Sequence, residues 1–322
     1  MKILASLDEV HRHIPQGCVA TIGNFDGVHR GHQKLITRTV GQAHMRNLPS
    51  VAITFDPHPE HFFSHNSSMR LLMKPQAKAE VLASLGIDFI VMLPFTKALA
   101  SQTPQEFVTT ILAERLQTKH LVIGYDYAFG KGRAGNAAVL SNLGQQHGFT
   151  VEQLTPVMVN NRVVSSTSIR NALISKHLQE ANTMLGRPFF MDSTVIHGKK
   201  RGSTQLGFPT ANLHLPQETI YPHPGTYAVK AFLQTQSPVT APFPIIPYSE
   251  ALHGVANIGV NPTFGDVPLS VEVHLLDFSG DIYHTGIRVW FLQFLREEKK
   301  FATVPALIEQ IVNDIETAQH YF

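Results

Sequence analysis

The chain has 322 residues, a formal net charge of +2 and a single cysteine. That length favours two domains over one, and the near-neutral balance leaves no basic field of the kind nucleic acid requires. With one thiol no internal disulfide can form, and with no leader-like segment or long apolar run we expect a cytoplasmic protein that neither crosses nor anchors in a membrane.

In chain order, the first half alternates short apolar runs with helical spacing. Strands are expected at Val19–Gly23, Val51–Phe55, Phe89–Leu93 and Leu121–Gly124, and helices at Gln33–Met45, Pro75–Leu85 and Pro104–Leu116. Such alternation argues a parallel, doubly wound sheet, which binds ligands at the carboxyl ends of its strands. The segment Gly23-Asn24-Phe25-Asp26-Gly27-Val28-His29-Arg30-Gly31-His32-Gln33 stands at one such end. Its glycines admit close backbone approach to a phosphate, the following helix presents its positive end, and two imidazoles can donate to an α-phosphate as charge builds. The bare His-x-Gly-His pattern reads first as a turn with two surface histidines; the strand before it and the helix after it reverse that preference and favour the nucleotidyl-transfer reading.

Three further segments of the first half bear on chemistry. Asp56-Pro57-His58-Pro59-Glu60-His61 reads as a substrate-lining loop. His61 and His65 would suit zinc only on a regular helix, against which the prolines argue. Gly124 to Gly130, containing Asp126 and Phe129, follows another strand end, with Arg133 just beyond it. In Ser165-Ser166-Thr167-Ser168-Ile169-Arg170, Ser166, Thr167 and Arg170 at a helix start make a phosphate grip or, more simply, an N-cap.

Beyond about Met184 the pattern changes to alternating runs at Thr194–His197, Tyr227–Leu233, Leu252–Gly259, Ser270–Leu276 and Ile287–Phe294, which suggest a small antiparallel barrel. A long loop is expected at Gln236–Pro247. A closing helix is expected within Phe301–Phe322, capped by Thr303 with Pro305 in its first turn, its stripe of Val304, Leu307, Ile308, Ile311, Val312 and Ile315 taken as core. The stretch Gly198-Lys199-Lys200-Arg201-Gly202 can wrap a phosphate. Thr210 and Asn212 offer oxygen ligands for a hard cation such as Mg²⁺. If Val271, Val273 and Leu275 face the core, Glu272 and His274 share the other face, where a carboxylate can act as a general base.

Taken together, these motifs resemble the bacterial bifunctional riboflavin kinase/FMN adenylyltransferases over nearly the whole chain. The first half is similar through GNFDGVHRGHQ (23–33), TFDPHP (54–59), GYDYAFGKGRAGN (124–136) and SSTSIR (165–170). The second is similar through LGRPF (185–189), LGFPTANL (206–213), GTYAV (225–229), VANIG and PTF (255–259, 262–264) and VEVHLLDF (271–278).

The resemblance implies a Rossmann-like nucleotidyltransferase domain at 1–183 and a riboflavin kinase barrel at 184–322. It implies riboflavin, FMN and ATP as substrates, FMN and FAD as products, and Mg²⁺ as cofactor. His29 and His32 would hold the α-phosphate; Ser166, Thr167 and Arg170 the departing phosphates. Gly23, Asn24, Phe25, Asp26, Gly27, Gly31, Asp56, His58, Pro59, Asp126, Phe129 and Arg133 would line the first pocket. Gly198, Lys200, Gly202, Gly207, Phe208 and Pro209 would line the second, with Thr210 and Asn212 on the metal and Glu272 as base. Ser203, Asn261, His284, Ser193 and Ser168 depart from the family pattern, so the alternative is an adenylyltransferase with an impaired kinase half.

Overall fold

In the computed structural model, the residues described are 2–4, 6–63, 69–197, 207–234, 250–260 and 269–322. The expectations at His65, Gly198–Leu206, Gln236–Pro247, Asn261 and the PTF segment therefore lie outside the described residues. Contacts divide the chain into two units, Met1–Met69 with Lys78–Ser165, and Arg70–Ala77 with Ser166–Phe322.

The first unit is built on β1 (Lys2–Leu4), α1 (Leu7–His13), β2 (Cys18–Ile22), α2 (Arg30–Arg46), β3 (Ser50–Asp56), α3 (Pro59–Phe63), α4 (Pro75–Ser84, which belongs to this unit from Lys78 on), β4 (Phe89–Pro94), α5 (Lys97–Ser101), α6 (Pro104–Phe107), β5 (Thr118–Ile123), α7 (Ala137–Gln146), β6 (Thr150–Gln153) and the hairpin strands β7 (Met158–Val159) and β8 (Arg162–Val163). Its sheet has the order β1-β4-β3-β2-β5-β6 with every pairing parallel. This is the doubly wound architecture that the strand–helix alternation predicts. β2 is buried at all five positions, as a central parallel strand covered on both faces must be.

Two strands of this sheet escape the sequence pattern, β1 and β6, both short edge strands with few buried positions, as do the two-residue hairpin strands β7 and β8. The expected helix at Pro104–Leu116 is α-helical only through Phe107. It continues as a π-helical segment, Val108–Arg115, whose wider turn still buries Val108, Ile111 and Leu112.

The second unit contains α8 (Ser166–Ile174), α9 (Leu178–Leu185), β9 (Phe189–Ile196), β10 (Ala211–Leu213), β11 (Gly225–Gln234), β12 (Leu252–Val260), β13 (Leu269–Leu275), β14 (Gly286–Arg296) and α10 (Val304–Gln319). The strands close into an antiparallel barrel in the order β10-β13-β12-β11-β14-β9. Residues 70–77 join this unit through backbone bonds of Leu71 to Glu218 and Ile220, at 2.7 and 2.9 Å. α9 is stitched to the barrel by Asn182, which donates 3.0 Å to the Phe291 carbonyl and accepts 2.7 Å from the Phe189 amide.

α10 begins where expected, with Thr303 accepting from the Ala306 amide and Pro305 in the first turn. Its apolar stripe is not core, however. Val304 is 53% and Val312 39% exposed, and Leu307, Ile308, Ile311 and Ile315 are half-buried. The buried positions are Asp314 and Ala318. The reason is electrostatic and steric: Arg296 grips Asp314 in a bidentate pair at 2.7–3.1 Å, and the small Ala318 lets the helix come close on that side.

Candidate functional site

The glycine–histidine segment leaves the buried strand β2 and turns through Phe25 and Val28, both at positive φ, and Gly27 at φ +79°. Asp26, Gly27 and Val28 form a buried 3-10 turn, and His29 then caps α2. The His29 Nδ1 accepts from the His32 amide at 3.3 Å. A neutral ring that accepts at Nδ1 carries its proton on Nε2, so the cap leaves a donor on the far edge of the imidazole. The rings of His29 and His32 are stacked with centroids 3.7 Å apart, and Phe25 meets His32 edge-on at 5.3 Å. A Cβ on residue 31 would stand 3.1 Å from the His29 ring, so Gly31 is what lets that ring lie against the helix start. The two imidazoles and the α2 N-terminus are thus one compact feature able to donate to an anion.

Asn24, at the root of this segment, is held by its carbonyl. Thr54 Oγ1 donates to it at 3.1 Å and Lys78 Nζ at 3.2 Å, while Lys78 also donates to Thr54 Oγ1 at 2.9 Å. Lys78 is buried, and burial lowers its pKa to about 8 despite the opposing charges of Asp26 and Asp56. Sequence reasoning misses Lys78: on α4 its spacing looks like any solvent-facing lysine, and only the fold turns it inward. Asp56 is exposed at the end of β3 and joins Pro57 by a cis peptide bond. His58 accepts from the Glu60 amide at 3.2 Å and starts α3 with Pro59. His61 bonds the Met69 carbonyl, and among the described residues no group of three His, Cys, Asp or Glu is arranged to hold a metal.

After β5, Asp126 and Arg133 are exposed and Phe129 is buried, its backbone paired both ways with Gly135. Tyr127 stacks on Phe129 at 5.5 Å. Ser166 opens α8 in the second unit, with Thr167 exposed, and Arg170 donates from Nε to the Arg70 carbonyl at 2.7 Å.

In the barrel, Val271, Val273 and Leu275 are buried and Glu272 and His274 are half-exposed, the alternation expected for β13. Glu272 is paired directly with Asn212 of β10. Opposed residues on neighbouring strands stand on one face, and Thr210 donates to the Glu272 carboxylate at 3.4 Å. His274 Nδ1 donates to the Pro209 carbonyl at 2.8 Å, and Phe208 packs edge-on against His274 at 5.6 Å. Phe208, Pro209, Thr210, Asn212 and Glu272 are therefore brought together, with Gly207 leading in at φ +75°. Hydroxyl, amide and carboxylate oxygens in one row are a donor set suited to a hard cation. Ser193 is absorbed by a 2.5 Å bond to the His214 carbonyl, and His284 takes a left-handed φ of 61° beside His197.

The chain matches two family models in tandem, one described as FAD synthetase over residues 11–168 and one as riboflavin kinase over residues 185–322. It is 35% identical over 322 residues to a bifunctional riboflavin kinase/FMN adenylyltransferase of Escherichia coli K12, covering all of this chain and 98% of the relative. It is 41% identical over 306 residues to the protein of the same name from Pseudomonas fluorescens, covering 94% and 93%. A crystal structure of a protein named as a macrolide-efflux protein from Streptococcus pneumoniae superposes with a TM-score of 0.85 at 29% identity, covering 100% of this chain and 99% of that one. Among the described residues, no helix is long and apolar enough to cross a membrane.

Proposed function

This chain belongs to the bifunctional riboflavin kinase/FMN adenylyltransferase family, and from that premise we propose that residues 1–183 make FAD and residues 184–322 make FMN. Riboflavin and ATP give FMN and ADP; FMN and a second ATP give FAD and pyrophosphate. The two family matches, in tandem and in this order, carry the reading.

In the adenylyl step, an FMN phosphate oxygen attacks the α-phosphorus of ATP while the bond to the β-phosphate breaks. The nucleophile is already an anion, so positioning and charge stabilisation suffice. His29, whose Nδ1 is taken by the cap so that Nε2 is the donor, and His32 hold the α-phosphate as charge grows on it. Ser166, Thr167 and Arg170 receive the departing pyrophosphate. Gly23 to Gly27, the Asp56–Pro59 segment, Asp126, Phe129 and Arg133 line the pocket.

In the kinase step a neutral ribityl hydroxyl attacks the γ-phosphorus. Glu272 takes its proton, and Thr210, in contact with that carboxylate, orients it. Thr210 and Asn212 would hold Mg²⁺, which supplies neutralisation of the ATP phosphates. Phe208 and Pro209 pack beside this row.

A chromatographic time course with riboflavin, ATP and Mg²⁺, beside the same mix started from FMN, tests the reading. Successive appearance of FMN and FAD supports it. FAD from FMN alone favours the second reading, a chain whose kinase half is weakened at Ser203, Asn261 or His284; no FAD in either mix refutes the proposal.

A further inference from the structure

We propose that Lys78 is a positioning residue for adenylyl transfer: it fixes the peptide from which the glycine–histidine segment turns and balances the carboxylates beside it. The inference rests on the reading that residues 1–183 make FAD. A lysine head is buried only where hydrogen bonds and opposite charge hold it, and Lys78, 7% exposed, has both. Its Nζ donates to the Asn24 carbonyl at 3.2 Å and to Thr54 Oγ1 at 2.9 Å; Thr54 Oγ1 donates to the same carbonyl at 3.1 Å. These bonds close a triangle on a single oxygen.

That oxygen belongs to the peptide joining Asn24 to Phe25. Phe25 is the residue that enters the left-handed region at φ 49°, and the turn it begins delivers Asp26, then His29, to the start of α2. A backbone that bends through a costly conformation holds only if its surroundings over-determine it. Lys78 and Thr54 supply that hold, from α4 and β3. The charged groups facing the ammonium are Asp26 on the 3-10 turn and Asp56 at the end of β3. Asp26 is 3% exposed, and the lysine keeps this buried carboxylate compensated in a segment that must also accept phosphate. Lys78 does not itself need to touch substrate. Because small displacements of an aligned site cost about 100-fold in rate, its effect should fall on turnover.

The burial that lowers the lysine's pKa to about 8 gives the role a pH signature. As pH rises through 8 the ammonium is lost, the Asn24 carbonyl loses a charge-assisted donor, and FAD formation falls. The experiment compares wild type, Lys78→Met, Lys78→Arg and Thr54→Val in the full chain, with FMN and ATP, from pH 6.5 to 10. Riboflavin phosphorylation by the same molecules serves as reference. For Lys78→Met we expect kcat for FAD formation to drop about 100-fold with KM for FMN and ATP within threefold, and phosphorylation within twofold of wild type. Lys78→Arg should recover at least tenfold of that loss and carry the alkaline limb upward by a pH unit or more. Thr54→Val should lose three- to tenfold and keep the wild-type limb.

Lys78→Met within threefold of wild type overturns the inference, as does an alkaline limb that Lys78→Arg leaves in place. Should Lys78→Met fail to fold, judged by its thermal transition, an unchanged Thr54→Val overturns it equally. If the wild type makes no FAD from FMN, the division of labour fails; if the wild type makes FAD and the variants match it, the lysine's role alone fails.

Discussion

His29 uses its two ring nitrogens for different ends. Nδ1 closes the first turn of α2 by accepting the His32 amide, and that bond commits Nε2 to donating. Replacing His29 and His32 together by Ala should cut FAD formation at least 100-fold, the scale of losing preorganised donors to a developing charge, while FMN accumulates from riboflavin. Glu272→Gln should do the reverse. It keeps the size of the side chain and its contact with Thr210 but cannot take a proton, so FMN formation should fall by about 10²–10⁴-fold with FMN-to-FAD conversion unchanged. Equal loss of both activities in either variant would refute the assignment.

These candidate residues stand out in the sequence because each lies in a local pattern: a histidine pair after a strand, a glutamate on an alternating β-run. Lys78 does not, since its partners Asn24 and Thr54 are 54 and 24 positions away in sequence. On the role proposed for it, it would also tie chemistry to stability. Its pKa is lowered in the folded chain from an ordinary 10.5, so between about pH 8 and 10 the unfolded chain binds the extra proton and stability rises with pH from this group. Over that same window FAD formation is expected to fall, and Lys78→Met should flatten both slopes.

Among the elements, those with a strong period were readable and those held by few residues were not. β2 to β5 and the barrel strands β9, β11 and β14 each carry a run of buried positions, and β13 alternates. β10 has three residues, yet it bears Asn212 and pairs β9 with β13 to close the barrel. Nothing in three residues announces a strand; the ladder on both sides makes it one. The misreading of α10 is the more instructive case. Its apolar stripe satisfies a helical period, but Asp314 is the position turned to the barrel. A carboxylate is buried there because Arg296, on β14, is waiting for it with a fork of two nitrogens. Removing one partner of such a pair leaves the other charge uncompensated. Asp314→Ala should therefore cost about 3 kcal/mol, the low end for buried pairs, because the Arg296 side chain is still 17% exposed. Val312→Ala, at a half-open stripe position, should cost well under 1 kcal/mol. Chemical denaturation of the two variants checks the order, and a costlier Val312→Ala would mean that the stripe, not the ion pair, holds the helix.

At the scale of the whole molecule, the sheet and the barrel each bury a core of their own. The cluster of Ala20, Ile53, Leu121 and Leu140 belongs wholly to the first unit, whereas Tyr227, Val273 and Phe291 belong to the second. Damage to one core need not reach the other. Asp314→Ala offers a way to see this, because its ion pair lies entirely within the barrel unit and touches no residue assigned to either reaction. For a unit of this size, about 3 kcal/mol corresponds to a drop of roughly 6–12 °C in the unfolding midpoint. After brief heating at graded temperatures, the variant should lose riboflavin phosphorylation at temperatures lower by about that amount, while FMN adenylylation is lost at the wild-type temperature. The two activities would then separate along the temperature axis in a chain where no catalytic group has been altered. A parallel fall of both would mean that the units unfold as one cooperative body, and that the stability of each site is set by the whole chain rather than by the unit that carries it.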